Sequence, residues 1–265
     1  MKVCFIGFGN MATAIAKGLT DQNDLDIHAC SPSLTEGARV NNVTMHKDNH
    51  QGSKEADIII LAVKPPKILS VLQELSIHKD TLIISVAAAI PIDSISAALP
   101  PGTAVVRAMP NTPIAVGAGA TPLVANANCK PRHIKAAERI FADNGIVEWV
   151  EESQLEAFAP LSGSGPAYVF LFLEALTAAG VELGLEENLC KRFAQQTLQG
   201  ALRLCETSPE SFATLRQQVT SPGGTTAAAL AIFAKNNFKS MVTDALKEAH
   251  NRAIELREEL GPVDN

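Results

Sequence analysis

The sequence predicts an α/β domain built on a parallel sheet, followed by an all-α domain. Short apolar runs alternate with amphipathic segments through the first 150 residues, the pattern of buried strands covered by helices on both faces. Beyond that point only helical periodicity remains, punctuated by glycines and prolines. We expect the two domains to comprise residues 1–152 and 153–265 of the 265-residue chain.

Each element of this prediction rests on a short sequence segment. In the first domain the predicted strands are 2–6, 26–30, 57–62, 81–86 and 103–107, the predicted helices are 11–20, 66–75 and 92–99, and a helix 131–143 with a strand 146–150 closes the domain. In the second domain helical periodicity predicts helices at 167–183, 189–206, 226–235 and 239–259.

Charge and composition exclude several partner classes. The net charge is −6, and residues 1–150 carry 13 basic and 13 acidic side chains, so the whole excess lies in residues 151–265. Aromatic residues make up 5% of the chain. An acidic chain with few aromatic rings disfavours nucleic acid and anionic membranes, and we expect neither as a partner.

The cysteines and the N-terminus predict a cytoplasmic location. Five cysteines are scattered without a C-x-x-C pair, as expected of free thiols in a reducing compartment. Met1 leads directly into a strand, so no signal peptide is expected. No segment is expected to span a bilayer, because the most apolar one, 167–179, is short and contains Glu174. The six histidines form no H-E-x-x-H pattern, and His46 and His50 lie in a polar region that we expect to be a loop, so no metal site is expected.

The first strand runs into a glycine motif and then a helix. The motif is Gly7-Phe8-Gly9-Asn10-Met11-Ala12. Gly7 permits a tight turn, Gly9 lets the backbone approach a pyrophosphate, and Ala12 lets helix and strand pack closely. The first N–H groups of the helix then face the phosphates. This order predicts a Rossmann-type dinucleotide-binding domain.

The end of the second strand indicates which dinucleotide is bound. NAD enzymes usually place a carboxylate there for the ribose 2′-hydroxyl. Ser31 occupies this position, followed by Ser33, so a 2′-phosphate would meet hydroxyl groups instead of a negative charge. We therefore favour NADP(H), with NAD(H) as the alternative. The segment Ser33–Glu36 is also a capping box that would open a helix, and the two roles are compatible.

Further loops follow strands at the same edge, where ligands bind in open sheets. Lys64 precedes a helix that begins with proline. It has two interpretations, a contact with the cofactor or a charged side chain in solvent. The small side chains after the strand 81–86 would let a flat ring approach the backbone. The candidate cofactor-binding residues in these loops are Asn49, Ala62, Val63, Lys64, Pro65, Ala87, Ala88 and Asn111.

Two motifs in the second domain place glycines and hydroxyl groups ahead of a helix. They are Leu161–Tyr168, which contains Gly163 and Gly165, and Val219–Thr226, which contains Ser221, Gly223 and Gly224. Backbone N–H groups that converge in this way form an anion site. A small carboxylate is the natural ligand, since no lysine follows the glycines as a phosphate loop would require.

The run Thr220–Leu230 resembles the signature of the pyrroline-5-carboxylate reductases. The segments Phe5–Ala12, Ala62–Pro65, Arg107–Pro113 and Gly163–Tyr168 are similar to that family in the same order, so the resemblance extends from residue 1 to about 250. It implies a reductase that transfers hydride from NAD(P)H to 1-pyrroline-5-carboxylate and forms L-proline.

The resemblance also implies roles for particular residues. Ser221 and the backbone of Gly223, Gly224 and Thr225 would hold the substrate carboxylate. Thr226 matches the threonine proposed in the family to bond the imine nitrogen and relay a proton. Residues 7–12, Ser31, Asn49, 62–65, Ala87, Ala88 and Asn111 match cofactor positions. The family further implies helices that interleave in a homodimer, and dimers that assemble into a larger oligomer.

The residues themselves are consistent with imine reduction. The motif Val219–Thr226 has no acidic, basic, histidine or cysteine side chain. Oxidation of an alcohol needs a strong base, whereas a protonated cyclic imine is already a good hydride acceptor, so a positioned hydroxyl group and water suffice. Two alternatives stay open at this point: a 3-hydroxyacid dehydrogenase, which would carry a lysine after Gly165, and a non-catalytic NADP-binding regulator.

Overall fold

A nine-stranded sheet organises the N-terminal part of the chain. A computed structural model describes residues 1–20 and 22–260. The strands are β1 (Lys2–Ile6), β2 (Asp26–Cys30), β3 (Arg39–Val40), β4 (Val43–His46), β5 (Ile58–Leu61), β6 (Leu82–Ser85), β7 (Ala104–Ala108), β8 (Gly119–Ala125) and β9 (Gly145–Trp149). Their order across the sheet is β3-β4-β2-β1-β5-β6-β7-β8-β9.

Eleven α-helices accompany the sheet in the described residues. They are α1 (Asn10–Leu19), α2 (Asn49–Ser53), α3 (Ile68–Leu72), α4 (Ile92–Ala97), α5 (Pro131–Ala142), α6 (Glu152–Phe158), α7 (Gly165–Glu182), α8 (Glu187–Thr207), α9 (Phe212–Gln218), α10 (Thr225–Lys235) and α11 (Phe238–Leu260). Two 3₁₀ segments, Pro65–Lys67 and Thr112–Val116, and a π-helical turn, Ala159–Gly163, complete the list.

The sheet is parallel through its centre, as predicted, and antiparallel in two places. β2, β1, β5, β6 and β7 run parallel, which aligns their carboxyl ends at one edge. β3 pairs antiparallel to β4, and β8 pairs antiparallel to β7. The connection between β7 and β8 contains only a short 3₁₀ segment, too little for the helical crossover that a parallel pair requires.

Apolar side chains alternate between two cores, one on each face of the sheet. On β1, Val3 and Phe5 belong to one core, which also contains Ile15 of α1. Cys4 and Ile6 belong to the other. This period-two alternation with apolar residues on both sides is expected of strands that are covered on both faces. The first helix, held to the sheet in this way, has its N-terminus at the carboxyl end of β1.

The described residues divide into two compact units. The first comprises Met1–Pro166 together with the chain from Glu248 onwards, and the second is Ala167–Lys247. The division of the sequence at residues 152 and 153 stays a prediction. The second unit is entirely helical, as predicted, and in α7, α8, α9 and α10 the single buried residue is Cys190.

One helical stretch of the described residues, Glu152–Glu182, has the length and hydropathy of a membrane span, and none of its most apolar window is buried. The apolar helical stretch is longer than the segment 167–179 that the sequence indicated as the most apolar one. Residues 157–173 contain no charged side chain. The π-helical turn and α7 continue the helical stretch across Gly163 and Gly165. This stretch therefore has an apolar surface that the described chain leaves uncovered.

Two local predictions near β2 are wrong. Ser33–Glu36 forms turns and opens no helix, because Glu36 bonds across the loop and accepts a hydrogen bond from the backbone N–H of Lys47 at 2.7 Å. The histidines at 46 and 50 do not lie in a loop. His46 ends β4, and His50 lies in α2.

Candidate active site

The loop after β1 has the geometry that a dinucleotide needs. Gly7 has φ of +87°, in the left-handed region where a β-carbon is disfavoured, and a β-carbon there would lie 2.8 Å from the carbonyl oxygen of Ala62. The backbone N–H of Gly7 donates to the carbonyl oxygen of Cys30 at 2.8 Å. Glycine is therefore required at position 7, and it joins the ends of three strands.

The N-terminus of α1 fits a pyrophosphate. Gly9 is the N-cap residue, and no side chain caps this end of the helix. A β-carbon on Gly9 would meet no atom within 4 Å, so the space above it is open. Within the described residues, the first N–H groups of α1 thus point to open space without a side-chain acceptor, as anion binding at a helix start requires.

Ser31 directly follows β2, at the same edge. Its backbone N–H donates to the carbonyl oxygen of His46 at 3.0 Å, and its hydroxyl oxygen lies 3.1 Å from that of Ser33. The two hydroxyl groups therefore lie side by side, and among the described residues no carboxylate is hydrogen-bonded to either of them. This arrangement supports the predicted 2′-phosphate contact.

The loops after β5 and β6 meet this edge as predicted. Leu61 is paired with both Ile6 and Ser85, so Ala62 and Ala87 follow neighbouring strand ends. Ala87 is buried and Ala88 is exposed. Val63 and Pro65 are half-buried, whereas Lys64 is exposed just before the 3₁₀ segment. The cofactor role of Lys64 stays a prediction.

The two asparagines among the predicted cofactor residues are engaged within the chain. Asn111 is buried, its side-chain oxygen accepts from the backbone N–H of Ala120 at 2.9 Å, and its nitrogen donates to the carbonyl oxygen of Ser162 at 2.9 Å. Asn49 donates to a carboxylate oxygen of Glu74 at 3.0 Å. The amide of Asn111 therefore holds its own loop in place. A cofactor contact in this loop would be made by the backbone of the loop and not by the amide.

The loop before α10 is a second neutral helix start. Gly223 has φ of +71°, and Gly224 is the N-cap residue without a side-chain cap. A β-carbon on Gly224 would lie 2.4 Å from the hydroxyl oxygen of Ser221, so a larger residue here would displace the Ser221 side chain. Thr225 is exposed and Thr226 is half-buried in the first turn. This loop is neutral and precedes an uncapped helix start, as carboxylate binding requires.

Sequence reasoning missed the contacts of Arg107. Its side chain is buried and donates to a carboxylate oxygen of Glu152 at 2.6 Å, and Glu156 lies 3.8 Å away. The same oxygen of Glu152 accepts from the backbone N–H of Ile92. Arg107 thus anchors the loop that follows β7. An isolated arginine at the end of an apolar strand was the signal that it needs a buried carboxylate.

Two family models match separate parts of the chain. A family model described as pyrroline-5-carboxylate reductase dimerisation matches residues 152–256, and one described as NADP oxidoreductase, coenzyme F420-dependent, matches residues 2–89. A pyrroline-5-carboxylate reductase of Pseudomonas aeruginosa is 38% identical, over 98% of this chain and 98% of its own length. The chain belongs to the pyrroline-5-carboxylate reductase family.

Solved structures of the family have the same fold. The pyrroline carboxylate reductase of Plasmodium falciparum, with NADP bound, has a TM-score of 0.89 at 31% identity and covers 97% of this chain and 98% of its own. A pyrroline-5-carboxylate reductase of Coxiella burnetii has a TM-score of 0.84 at 40% identity and covers 96% and 97%. The predicted fold class and the predicted oxidoreductase class are confirmed, and the two alternative functions are not supported.

Proposed function

We propose that this pyrroline-5-carboxylate reductase family member reduces 1-pyrroline-5-carboxylate to L-proline with NADPH. The observation that carries the proposal is a pair of uncapped helix starts in neutral loops, at α1 and α10. Both expected ligands are anions, a pyrophosphate and a carboxylate, and each cradle offers backbone N–H groups without a competing negative charge. The relatives, identical at 31–40% over nearly the whole chain, support the same reaction.

The first unit supplies the cofactor residues. Backbone groups of residues 7–12 bind the pyrophosphate, and Ser31 with Ser33 holds the 2′-phosphate that distinguishes NADPH from NADH. Ala62–Pro65 and Ala87–Ala88 lie along the dinucleotide at the carboxyl ends of β5 and β6. When bound, NADPH supplies the hydride. NADH would bind through the same backbone groups without the phosphate contact.

The second unit supplies the substrate residues. The N–H groups at Gly223 and Thr225, with the hydroxyl group of Ser221, bind the carboxylate of the substrate. The N–H of Gly224, the third predicted donor, donates to the carbonyl oxygen of Ser221 at 3.1 Å and closes the turn. Thr226 stands one residue further into α10, where its hydroxyl group donates a hydrogen bond to the imine nitrogen and relays a proton to it from water. The nitrogen thus gains a proton as the imine carbon gains the hydride, and the C=N bond becomes a C–N single bond.

Assembly completes the proposal. The uncovered apolar faces of α7 and α10 support a homodimer through the helical unit, and dimers that associate into a larger oligomer. A second copy would cover the apolar stretch Glu152–Glu182, which lies within the region matched by the dimerisation model. The five cysteines are all free thiols, which supports a reducing, cytoplasmic location.

Replacement of Thr226 tests the catalytic role. We expect Thr226→Ala to lower kcat about 100-fold, the usual contribution of a positioned proton donor, with KM little changed. The measurement is NADPH oxidation with 1-pyrroline-5-carboxylate, with circular dichroism to confirm folding. Thr225→Ala is the matched control, because Thr225 contributes only its backbone and its side chain is exposed. Equal activity of the Thr226→Ala and Thr225→Ala variants would assign the proton relay to Ser221 or water instead.

A further inference from the structure

Two histidines and two carboxylates form a continuous chain of contacts beside Ser31. Nε2 of His28 lies 3.0 Å from a carboxylate oxygen of Asp26, and Nδ1 of His28 lies 2.8 Å from Nε2 of His46. Nδ1 of His46 then lies 3.2 Å from a carboxylate oxygen of Glu36. Both imidazole side chains are largely buried, at 14% and 12% exposure. We refer to these four residues as the imidazole relay.

Three hydrogen bonds in the relay need three protons. Both ends are carboxylates that can only accept, since hydrogen bonding lowers the pKa of Asp26, mainly through His28, and that of Glu36, mainly through the backbone N–H of Lys47. Two neutral imidazoles carry two N–H groups in total. With only two protons, one of the three contacts would contain no hydrogen, and a nitrogen lone pair would face another acceptor atom. The complete relay therefore requires one additional proton, shared by the two rings.

The contact between His46 and Glu36 is the one that opens when this proton leaves. It is the longest of the three, and Glu36 keeps an alternative donor in the N–H of Lys47 at 2.7 Å. Glu36 belongs to the turns that carry Ser31 and Ser33, and the N–H of Ser31 bonds the carbonyl oxygen of His46. Loss of the proton thus leaves an uncompensated negative charge in the loop that faces the 2′-phosphate.

We propose that the imidazole relay holds one shared proton and makes the preference for NADPH over NADH dependent on pH. This inference rests on the proposed function, because it places the 2′-phosphate at Ser31. With the proton bound, the charge of Glu36 is balanced and the loop is tied to β4. When pH rises and the proton is lost, repulsion weakens binding of the phosphate and leaves the 2′-hydroxyl of NADH nearly unaffected.

Other charged groups lie around the relay. Lys2 of β1 and Arg39 of β3 act on Asp26 through their charge, and Asp48 acts on Glu36 through its charge. Lys47 acts on Glu36 through its backbone N–H. The thiols of Cys4 and Cys30 lie 3.6 Å apart behind His46, and hydrogen bonding and burial raise the pKa of Cys4, which stays neutral.

The shared proton can be measured on the free protein. We expect ¹⁵N-detected imidazole spectra at pH 6 to show three protonated nitrogens among the four of His28 and His46, and two at pH 9. This measurement needs no cofactor and no turnover. Two protonated nitrogens across the whole range would overturn the proposal.

The variant Glu36→Gln tests the link to the cofactor. A glutamine amide can donate to Nδ1 of His46 and accept from Lys47, so the relay is complete with neutral imidazoles and the loop stays tied. The quantity to compare is the Kd of NAD⁺ divided by the Kd of NADP⁺, which falls when NADP⁺ binds less tightly. From pH 6 to pH 8.5 we expect this ratio to fall about five-fold more in the natural protein than in the variant. This is the effect of one charge in a partly exposed site.

The design separates the relay from other sources of pH dependence. The 2′-phosphate has its own ionisation near pH 6, which is common to both proteins and cancels in the comparison. Glu148→Gln, an exposed carboxylate on β9 at the opposite edge of the sheet, should behave as the natural protein. The same pH dependence in Glu36→Gln and the natural protein would overturn the proposal. Failure of NADP⁺ to bind at any pH would instead contradict the proposed function.

Discussion

At the scale of single residues, the proposed choice of cofactor depends on Ser31. The residue at the end of β2 could be predicted from its spacing to the glycine loop, and the structure adds that its hydroxyl oxygen lies beside that of Ser33. The residues that hold this loop, Glu36 and His46, could not be predicted. They are 10 residues apart in sequence, and their contact depends on the register of β4 against β2, which no local pattern encodes.

Replacement of Ser31 by aspartate should shift the preference from NADPH toward NADH. A carboxylate would repel the 2′-phosphate and accept a hydrogen bond from the 2′-hydroxyl, so we expect the KM for NADPH to rise about ten-fold with little change for NADH. Steady-state kinetics with each cofactor measure this. Ser31→Ala, which removes the hydroxyl group without adding charge, should have a smaller effect. Equal changes for both cofactors would contradict the phosphate contact.

Asn111 illustrates a different limit at the same scale. A polar amide in a loop at the carboxyl edge of the sheet indicates a ligand contact, and the sequence predicts one. The structure instead engages both ends of the amide with backbone groups of Ala120 and Ser162. In the sequence, an asparagine that bonds buried backbone groups looks the same as one that binds a ligand. Only the partner across the fold tells them apart.

At the scale of elements, the strongly apolar strands of the sheet were predictable and the mixed ones were not. β1 has the predicted bounds, because its apolar residues and the glycine turn that follows leave no other interpretation. β2 has the predicted bounds as well, although it contains Asp26 and His28. β4 was missed since it is short and lies among polar residues, and β8 because it contains Pro122, which usually argues against an internal strand. Both need neighbouring strands to form, so tertiary pairing decides them.

The ion pair of Arg107 connects three elements and should contribute to stability. Glu152 at the start of α6 accepts from Arg107 at the end of β7 and from the N–H of Ile92 at the start of α4. We expect Glu152→Gln to lower the free energy of unfolding by about 2 kcal/mol, because the buried guanidinium group loses its closest negative charge. Denaturant unfolding measures this, and the exposed Glu148→Gln should change it little. Equal stability of the Glu152→Gln variant and the natural protein would show that Glu156 alone neutralises Arg107.

At the scale of the whole molecule, the helical unit of the single chain exposes many large apolar side chains. Large apolar side chains such as Phe170, Leu202 and Ile232 are about 60% exposed in the single chain. A soluble monomer rarely exposes so many apolar side chains on one small unit. The excess of apolar residues on these helices is visible in the sequence, and it agrees with the homodimer that the family resemblance implies.

Charge introduced on this surface should separate the subunits. We expect Phe170→Glu to shift the protein toward monomers in analytical ultracentrifugation and to lower Tm, since burial of an uncompensated carboxylate opposes association. In the natural protein Tm should rise with protein concentration. Ile146→Glu replaces another exposed apolar residue, on β9 of the first unit, and is the control. A Phe170→Glu variant that sediments as the natural protein does would place the interface on another face.

The return of the last helix to the first unit has a consequence for biosynthesis. The C-terminal part of α11 belongs to the unit that contains the sheet, where Leu260 packs on a core and Arg257 lies 3.5 Å from the buried carboxylate of Glu156. Domains usually fold from the N-terminus while the ribosome is still translating. Here the nine strands are translated by residue 149, yet the carboxylate between two arginines has only one of them until residue 257 emerges. The buried carboxylate of Glu156 therefore lacks one of its two cations until the C-terminal part of α11 has been translated, and a product truncated before residue 257 lacks that cation permanently.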